Sequence, residues 1–225
     1  TNHPAEAKWL SAEERTVLTD MLADEQSKGD HSHGFKAALK DPRVWILSSI
    51  TFSFTLGSYG IGIWLPQMLK AHGVEVSMIG WVAAIPYFFA TVGLLIWAKH
   101  VDRTGKGILN LTLAMLLAGV ALIFALQMNA LVPALVGITM ALVGTIAGKT
   151  IFYTLPGKFL RGQAAAGGIA LINSIGAFGG FVGPYLMGFL KDYTGSFTAG
   201  LMVMSCIMFI AAGMVVSLRL FLREQ

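Results

Sequence analysis

Apolar residues along this chain fall into six long runs, over 44–69, 76–98, 108–128, 131–155, 164–190 and 197–218, separated by short polar breaks. Each run is long enough, as a helix rising about 1.5 Å per residue, to cross about 30 Å of hydrocarbon. Barrel strands are about ten residues long and alternate in polarity, whereas these runs are longer and apolar on most faces. The pattern predicts an all-α integral membrane protein with six transmembrane helices. Residues 1–43 read differently. Ser11-Ala12-Glu13-Glu14 fits a capping box, and Val17, Leu18, Met21 and Leu22 follow at helical spacing. A short amphipathic helix is expected there, then a polar linking stretch over Ser27–Gly34. The organisation is a polar head, 1–43, and a six-helix bundle, 44–225.

Composition sharpens this picture. The 225 residues are 55% hydrophobic and 12% charged, about half the charge of an ordinary soluble domain. Residues 1–43 hold six Lys/Arg and eight Asp/Glu; residues 44–225 hold ten and four. The six runs contain one formal charge, Lys149. Because six spans put both ends on one side, that side collects the head's cations, then Lys99, Arg103, Lys106, Lys158, Arg161, Arg219 and Arg223. The other side has Lys70 and Lys191. The positive-inside rule makes the first side cytoplasmic, so the head is expected to be a cytoplasmic linker and the protein multi-pass in the cytoplasmic (inner or plasma) membrane. The formal charge of +4 is scattered between apolar runs, unlike the clustered basic face of a nucleic-acid binder. No nucleic-acid partner is expected. A single Cys excludes a disulfide framework and a Cys-based metal cluster.

Enzymatic chemistry lacks its groups. His3, His31, His33, His72 and His100 all lie outside the runs or at their edges, and no Asp or Glu lies inside one. Histidine-dependent nucleophiles, metal sites and paired carboxylates are therefore unsupported. Neither a catalytic role, nor a metal, nor a cofactor is expected. What the spans do contain is polar stripes. Ser48, Thr51, Thr55, Ser58, Tyr59 and Gly62 recur every three or four residues in the first. Thr145, Lys149 and Tyr153 recur at spacing four in the fourth, with Thr150 alongside; Asn173 and Ser174 sit on the fifth. Polar side chains in lipid face a bundle interior or a water-filled cavity, or bond back to their own helix. Lys149 has two readings, a cation facing an anion in a cavity or a long stem snorkelling to the interface. Gly176, Gly179, Gly180 and Gly183 favour close helix approach, and Pro66, Pro86, Pro156 and Pro184 sit in or near span ends. Asp102-Arg103-Thr104-Gly105-Lys106 is a very short connection in which the bases suit one helix's carbonyl end and Asp102 the next helix's start. Asp102, Arg103 and Lys106 are candidates for a conformational latch.

These residues resemble the C-terminal six-helix half of a major facilitator superfamily transporter, and more narrowly its anion:cation symporter family of organic-anion permeases. Trp9-Leu10-x-x-Glu13-Glu14 is similar to that family's central linker, and Asp41-Pro42-Arg43-Val44-Trp45 to the entry into its seventh helix. Tyr59-Gly60 with Trp64-Leu65-Pro66-Gln67 resembles that helix, and Asp102-Arg103-x-Gly105-Lys106 the superfamily loop motif, with Ala98 where Gly is usual. Phe152-Tyr153-x-Leu155-Pro156 resembles the tenth helix, with Tyr153 where Trp is common. Gly168 to Gly176 and Gly179-Gly180-Phe181-Val182-Gly183-Pro184-Tyr185 resemble the eleventh, with Ala177 where Asn is frequent. The resemblance implies a twelve-helix fold of two halves with substrate between them, and Tyr59, Thr150, Tyr153 and Asn173 on the C-terminal wall. Lys149 and Ser174 join that list from the stripes alone.

The expected function is transport of a small organic carboxylate by alternating access, with an N-terminal six-helix half and the lipid bilayer as partners. Since the spans hold no Asp, Glu or His, a proton-coupling carboxylate is expected in that other half. The chain has no initiator Met and reads as beginning inside a longer protein. The alternative is a self-contained six-span binding or scaffold protein without transport of its own.

Overall fold

The computed structural model describes residues 7, 9–28, 39–159 and 162–223. Among them there is helix and no strand. The helices are α1 (Ala12–Lys28), α2 (Pro42–Ala71), α3 (Val76–Thr104), α4 (Gly107–Gln127), α5 (Leu131–Phe152), the single turn α6 (Pro156–Phe159), α7 (Gly162–Thr194) and α8 (Thr198–Arg223). Six of them, α2, α3, α4, α5, α7 and α8, are long and apolar enough to cross a membrane.

The capping box forms at the start of α1. The Ser11 N–H donates to Glu14 Oε2 at 2.9 Å, and the Glu14 N–H donates to Ser11 Oγ at 3.2 Å. The Ser11 backbone N–H first, and the Ser11 side chain second, hold the Glu14 carboxyl below its ordinary pKa. A depressed carboxylate stabilises the fold above its unfolded pKa, and that stability is lost as pH falls through the depressed folded value. Hydrogen-exchange protection of the Ser11 amide should therefore drop as acidification carries the pH through that depressed value. Glu14→Gln, which keeps the bond without titrating, should make that protection independent of pH. Val17, Leu18, Met21 and Leu22 are exposed on this helix, so its apolar stripe lies open among the described residues. The expected polar stretch begins inside α1, and its residues from 29 onward lie outside the described residues, as do His3, His31 and His33.

Glycine sets the packing of the bundle. A Cβ at Gly176 would collide with Thr51, one at Gly179 with the Phe52 carbonyl, and one at Gly183 with the Leu56 carbonyl. These three face α2 along one stripe of α7, so the two backbones touch. Gly137 and Gly144 do the same for α5 against α4, where an added Cβ meets Ala125 and Ala118 backbone nitrogens at 2.9 Å. On α2, by contrast, Gly57 and Gly60 are covered by the flexible ends of Met208 and Met204 from α8. The core lies among α2, α4, α5 and α8, around Leu47, Ile50, Phe54, Met115, Leu142 and Phe152. A buried Ser205 hydroxyl crosses from α8 to the Gly119 carbonyl of α4 at 2.8 Å. The faces left open are on α3, where Trp81, Phe88 and Leu95 are exposed, and on α7, where Phe178, Phe181 and Tyr185 stack along an exposed stripe.

Three expectations change here. Helix α3 continues past residue 98 to Thr104 and ends where Gly105, at φ +65°, takes the left-handed conformation, a geometry suited to glycine. Asp102 and Arg103 thus lie in the last turn of α3 rather than in a loop, and Lys106 precedes α4 without a side-chain capping bond. All three are exposed, and the corner is held instead by buried Asn110. Its amide accepts from Trp97 Nε1 at 3.0 Å and donates to the Lys106 carbonyl at 2.9 Å. Helix α5 stops at Phe152 instead of 155, because Pro156 cannot continue the ladder. Pro86 and Pro184 lie within α3 and α7, well inside the ends of those helices.

Candidate functional site

The early end of α5 delivers the first candidate side chain. Tyr153 caps α5, its N–H donating to the Lys149 carbonyl, so its ring projects from the helix end. Phe152 beside it is fully buried and packs edge-on against Phe54 at 5.4 Å, and Tyr153 packs edge-on against Phe152 at 5.7 Å. This aromatic run fixes an otherwise half-exposed phenol to the core. From α7, Asn173 meets it: the Tyr153 hydroxyl donates to Asn173 Oδ1 at 3.1 Å. Two residues from different helices, twenty positions apart, share one bond. Asn173 is exposed, and this bond uses its oxygen and not its N–H groups.

Donors surround the pair. Lys149 lies one turn before Tyr153 on α5, in its last turn, and is exposed. Among the described residues it has no ion-pair partner; the ion pair there joins Lys191 and Asp192. Ser174 is exposed beside Asn173, and Thr150 is exposed with its hydroxyl bonded back to Ile146. No described carboxylate belongs to this group. Ammonium, amide and hydroxyl donors without a competing carboxylate make an arrangement that receives an anion. No group of three or more His, Cys, Asp or Glu capable of holding a metal occurs among the described residues.

Not every sequence-derived candidate joins it. Tyr59, half-exposed on α2, packs across Gly180, where a Cβ would meet its ring at 3.5 Å. Gly180 is two turns beyond Asn173, about 10 Å along α7, so Tyr59 forms a separate point on the same side. The polar stripe of α2 divides. Ser48, Thr51 and Thr55 are buried; Ser48 and Thr51 bond back to the carbonyls of Val44 and Leu47, and Thr51 and Thr55 pack on Gly176 and Gly180. They serve helix packing. Thr145 is buried too, with its hydroxyl back-bonded to Ala141, so the spacing-four stripe of α5 opens outward only at Lys149 and Tyr153. Sequence reasoning missed Tyr87 of α3, whose hydroxyl lies over Gly62 of α2. A tyrosine directly after Pro86 in an otherwise apolar run was the available signal.

A family model described as Major Facilitator Superfamily matches residues 3–184 and 47–225. A putative tartrate transporter of Agrobacterium vitis is 42% identical over 94% of this chain and 47% of its own length. A quinolone resistance transporter of Acinetobacter baumannii is 37% identical over 89% of this chain and 47% of its own. The inner membrane transport protein RhmT of Escherichia coli K12 is 32% identical over 96% and 50%. The chain spans about half the length of the curated relatives it matches.

Proposed function

This chain belongs to the Major Facilitator Superfamily, and from that premise we propose that it forms the C-terminal six-helix half of a transporter for a small organic anion. The observation that carries the reading is the Tyr153–Asn173 bond between α5 and α7, with Lys149 one turn away. With Lys149 it forms an exposed group of donors, whereas the open faces of α3 and α7 carry mainly aromatic and aliphatic side chains. The similarity to a putative tartrate transporter supports a carboxylate as the anion. In this reading an N-terminal six-helix half covers the open faces of α3 and α7, and the two halves rock about a site between them. Coupling to protons is assigned to the N-terminal half, because the six apolar runs of this chain hold no Asp, Glu or His. The excess of Lys and Arg on one side supports a cytoplasmic location for both ends of this chain.

Lys149 separates the cavity reading from snorkelling. A charge-assisted bond to a carboxylate is worth about 1.5–3 kcal/mol, so Lys149→Gln should raise the KM for L-tartrate uptake by about tenfold or more while leaving the maximal rate within about twofold. An unchanged KM in proteoliposomes would mean that the ammonium reaches the lipid headgroups and takes no part in binding.

A further inference from the structure

At the end of the bundle opposite Lys149, the ends of α2, α4 and α7 and the starts of α5 and α8 surround a cavity of about 670 Å3. Its floor is apolar, formed by Leu69, Ala134, Ile138 and Leu201; its rim carries Lys191, His72, Asn129 and Thr198. Lys191 is held in place rather than neutralised. Its ammonium lies 5.7 Å from the Trp64 ring centroid and 5.9 Å from that of Phe197, and Trp64 is itself anchored by Nε1 donating to the Pro184 carbonyl at 2.9 Å. Aromatic faces attract a cation without cancelling its charge. The one carboxylate within reach among the described residues, Asp192, is 3.7 Å away and 77% exposed, a loose pair worth little in water.

Other groups on the rim favour the same sign. Helix α5 begins after Ala130, which gives no side-chain cap, and Leu131, its first residue, lines the cavity, so the positive end of the helix dipole lies at the rim. Backbone N–H groups of His72 and Met128 bond carbonyls in the last turns of α2 and α4. His72 is turned to its own helix, with Nδ1 2.9 Å from the Met68 carbonyl. Ligand cavities typically measure about 300–1,000 Å3, and this one falls within that range.

We propose that this cavity is a second binding site, for an organic anion with an apolar body. The head pairs with Lys191 and the uncapped start of α5, and the body occupies the floor. The site stands apart from the Tyr153–Asn173 wall, since Leu131 and Lys149 are separated by about 27 Å along α5, and it does not depend on the transport reading. A free carboxylate and an anionic lipid both offer such a head and body.

Methionine-methyl NMR of the full chain in phosphatidylcholine nanodiscs tests this, because Met68 and Met128 line the cavity while Met208 is buried between α2 and α8. Hexanoate should shift the Met68 and Met128 methyls saturably and leave Met208 unmoved. Lys191→Gln should weaken that binding about tenfold, and Lys191→Arg should keep it within about threefold. If phosphatidylglycerol moves the same two methyls, Lys191→Gln abolishes the shift and hexanoate has no effect, the head belongs to a lipid and the site stands. The proposal fails if neither probe moves them, or if both move them equally in Lys191→Gln.

Discussion

Gly183→Leu is expected to break the α2–α7 interface and cost more stability than any other single glycine replacement on α7. The added Cβ would collide with the Leu56 carbonyl and lie 3.0 Å from Leu56 Cα, so no rotamer change relieves it and the helices must separate. Separation also loosens the neighbouring contacts of Gly176 with Thr51 and Gly179 with Phe52. Overpacking alone costs about 1–3 kcal/mol, and without a hydrophobic force between helices in lipid, close packing is much of what holds them. Helix propensity acts in the opposite direction, since glycine is about 1 kcal/mol worse than alanine in a helix. The collision should win. The detergent-solubilised protein should melt lower by about 6–12 °C, at about 2–4 °C per kcal/mol for a chain of this size. Gly60→Ala is the control, because its Cβ collides only with the movable end of Met204 and meets backbone, at Gly183, at an ordinary 3.5 Å; its midpoint should shift by less than about 4 °C. A rise in the midpoint of Gly183→Leu would show that propensity, not close approach, governs this stripe.

The two kinds of glycine contact illustrate what a sequence conveys in a membrane protein. Six apolar runs and a small-residue stripe at 176, 179, 180 and 183 are legible because lipid demands long helices and close contact demands small side chains. The capping box at Ser11 and Glu14 is legible because both bonds are local. Periodicity also finds the polar face of α2, but cannot say what that face meets. Ser48 and Thr51 satisfy themselves on their own helix, and Thr51 and Thr55 pack on α7, while Tyr59, on the same stripe, remains open. The Asp102–Lys106 segment reads as a loop because charges cluster there. Yet lysine, aspartate and arginine continue a helix readily once it has left the hydrocarbon, and only Gly105 stops it. Tyr153 and Asn173 were legible by resemblance, and their bond required the fold. The Lys191 cavity was not legible at all, because five helix ends build it.

Asn173→Ala carries the second large effect. In the proposed site Asn173 does two things: it accepts the Tyr153 hydroxyl and offers its amide N–H groups to the anion. Alanine removes the donor and leaves the phenol without its partner. A site that hydrogen-bonds its substrate typically loses about 2–3 kcal/mol when one charge-assisted bond goes, so uptake efficiency should fall about 30- to 100-fold. Tyr153→Phe removes only the orienting bond and should cost about tenfold. Because the two share one interaction, the double variant should be less impaired than the product of the singles. Membrane insertion and the melting midpoint should stay near wild type, as both side chains are exposed and neither fills the core.

The most direct measurement is counterflow of labelled L-tartrate in proteoliposomes carrying the full-length transporter, comparing wild type with Asn173→Ala at equal protein density. The proposed wall predicts saturable exchange by wild type, competed by other small carboxylates, and a rate at least about 30-fold lower for Asn173→Ala. Equal exchange by the two proteins would contradict it.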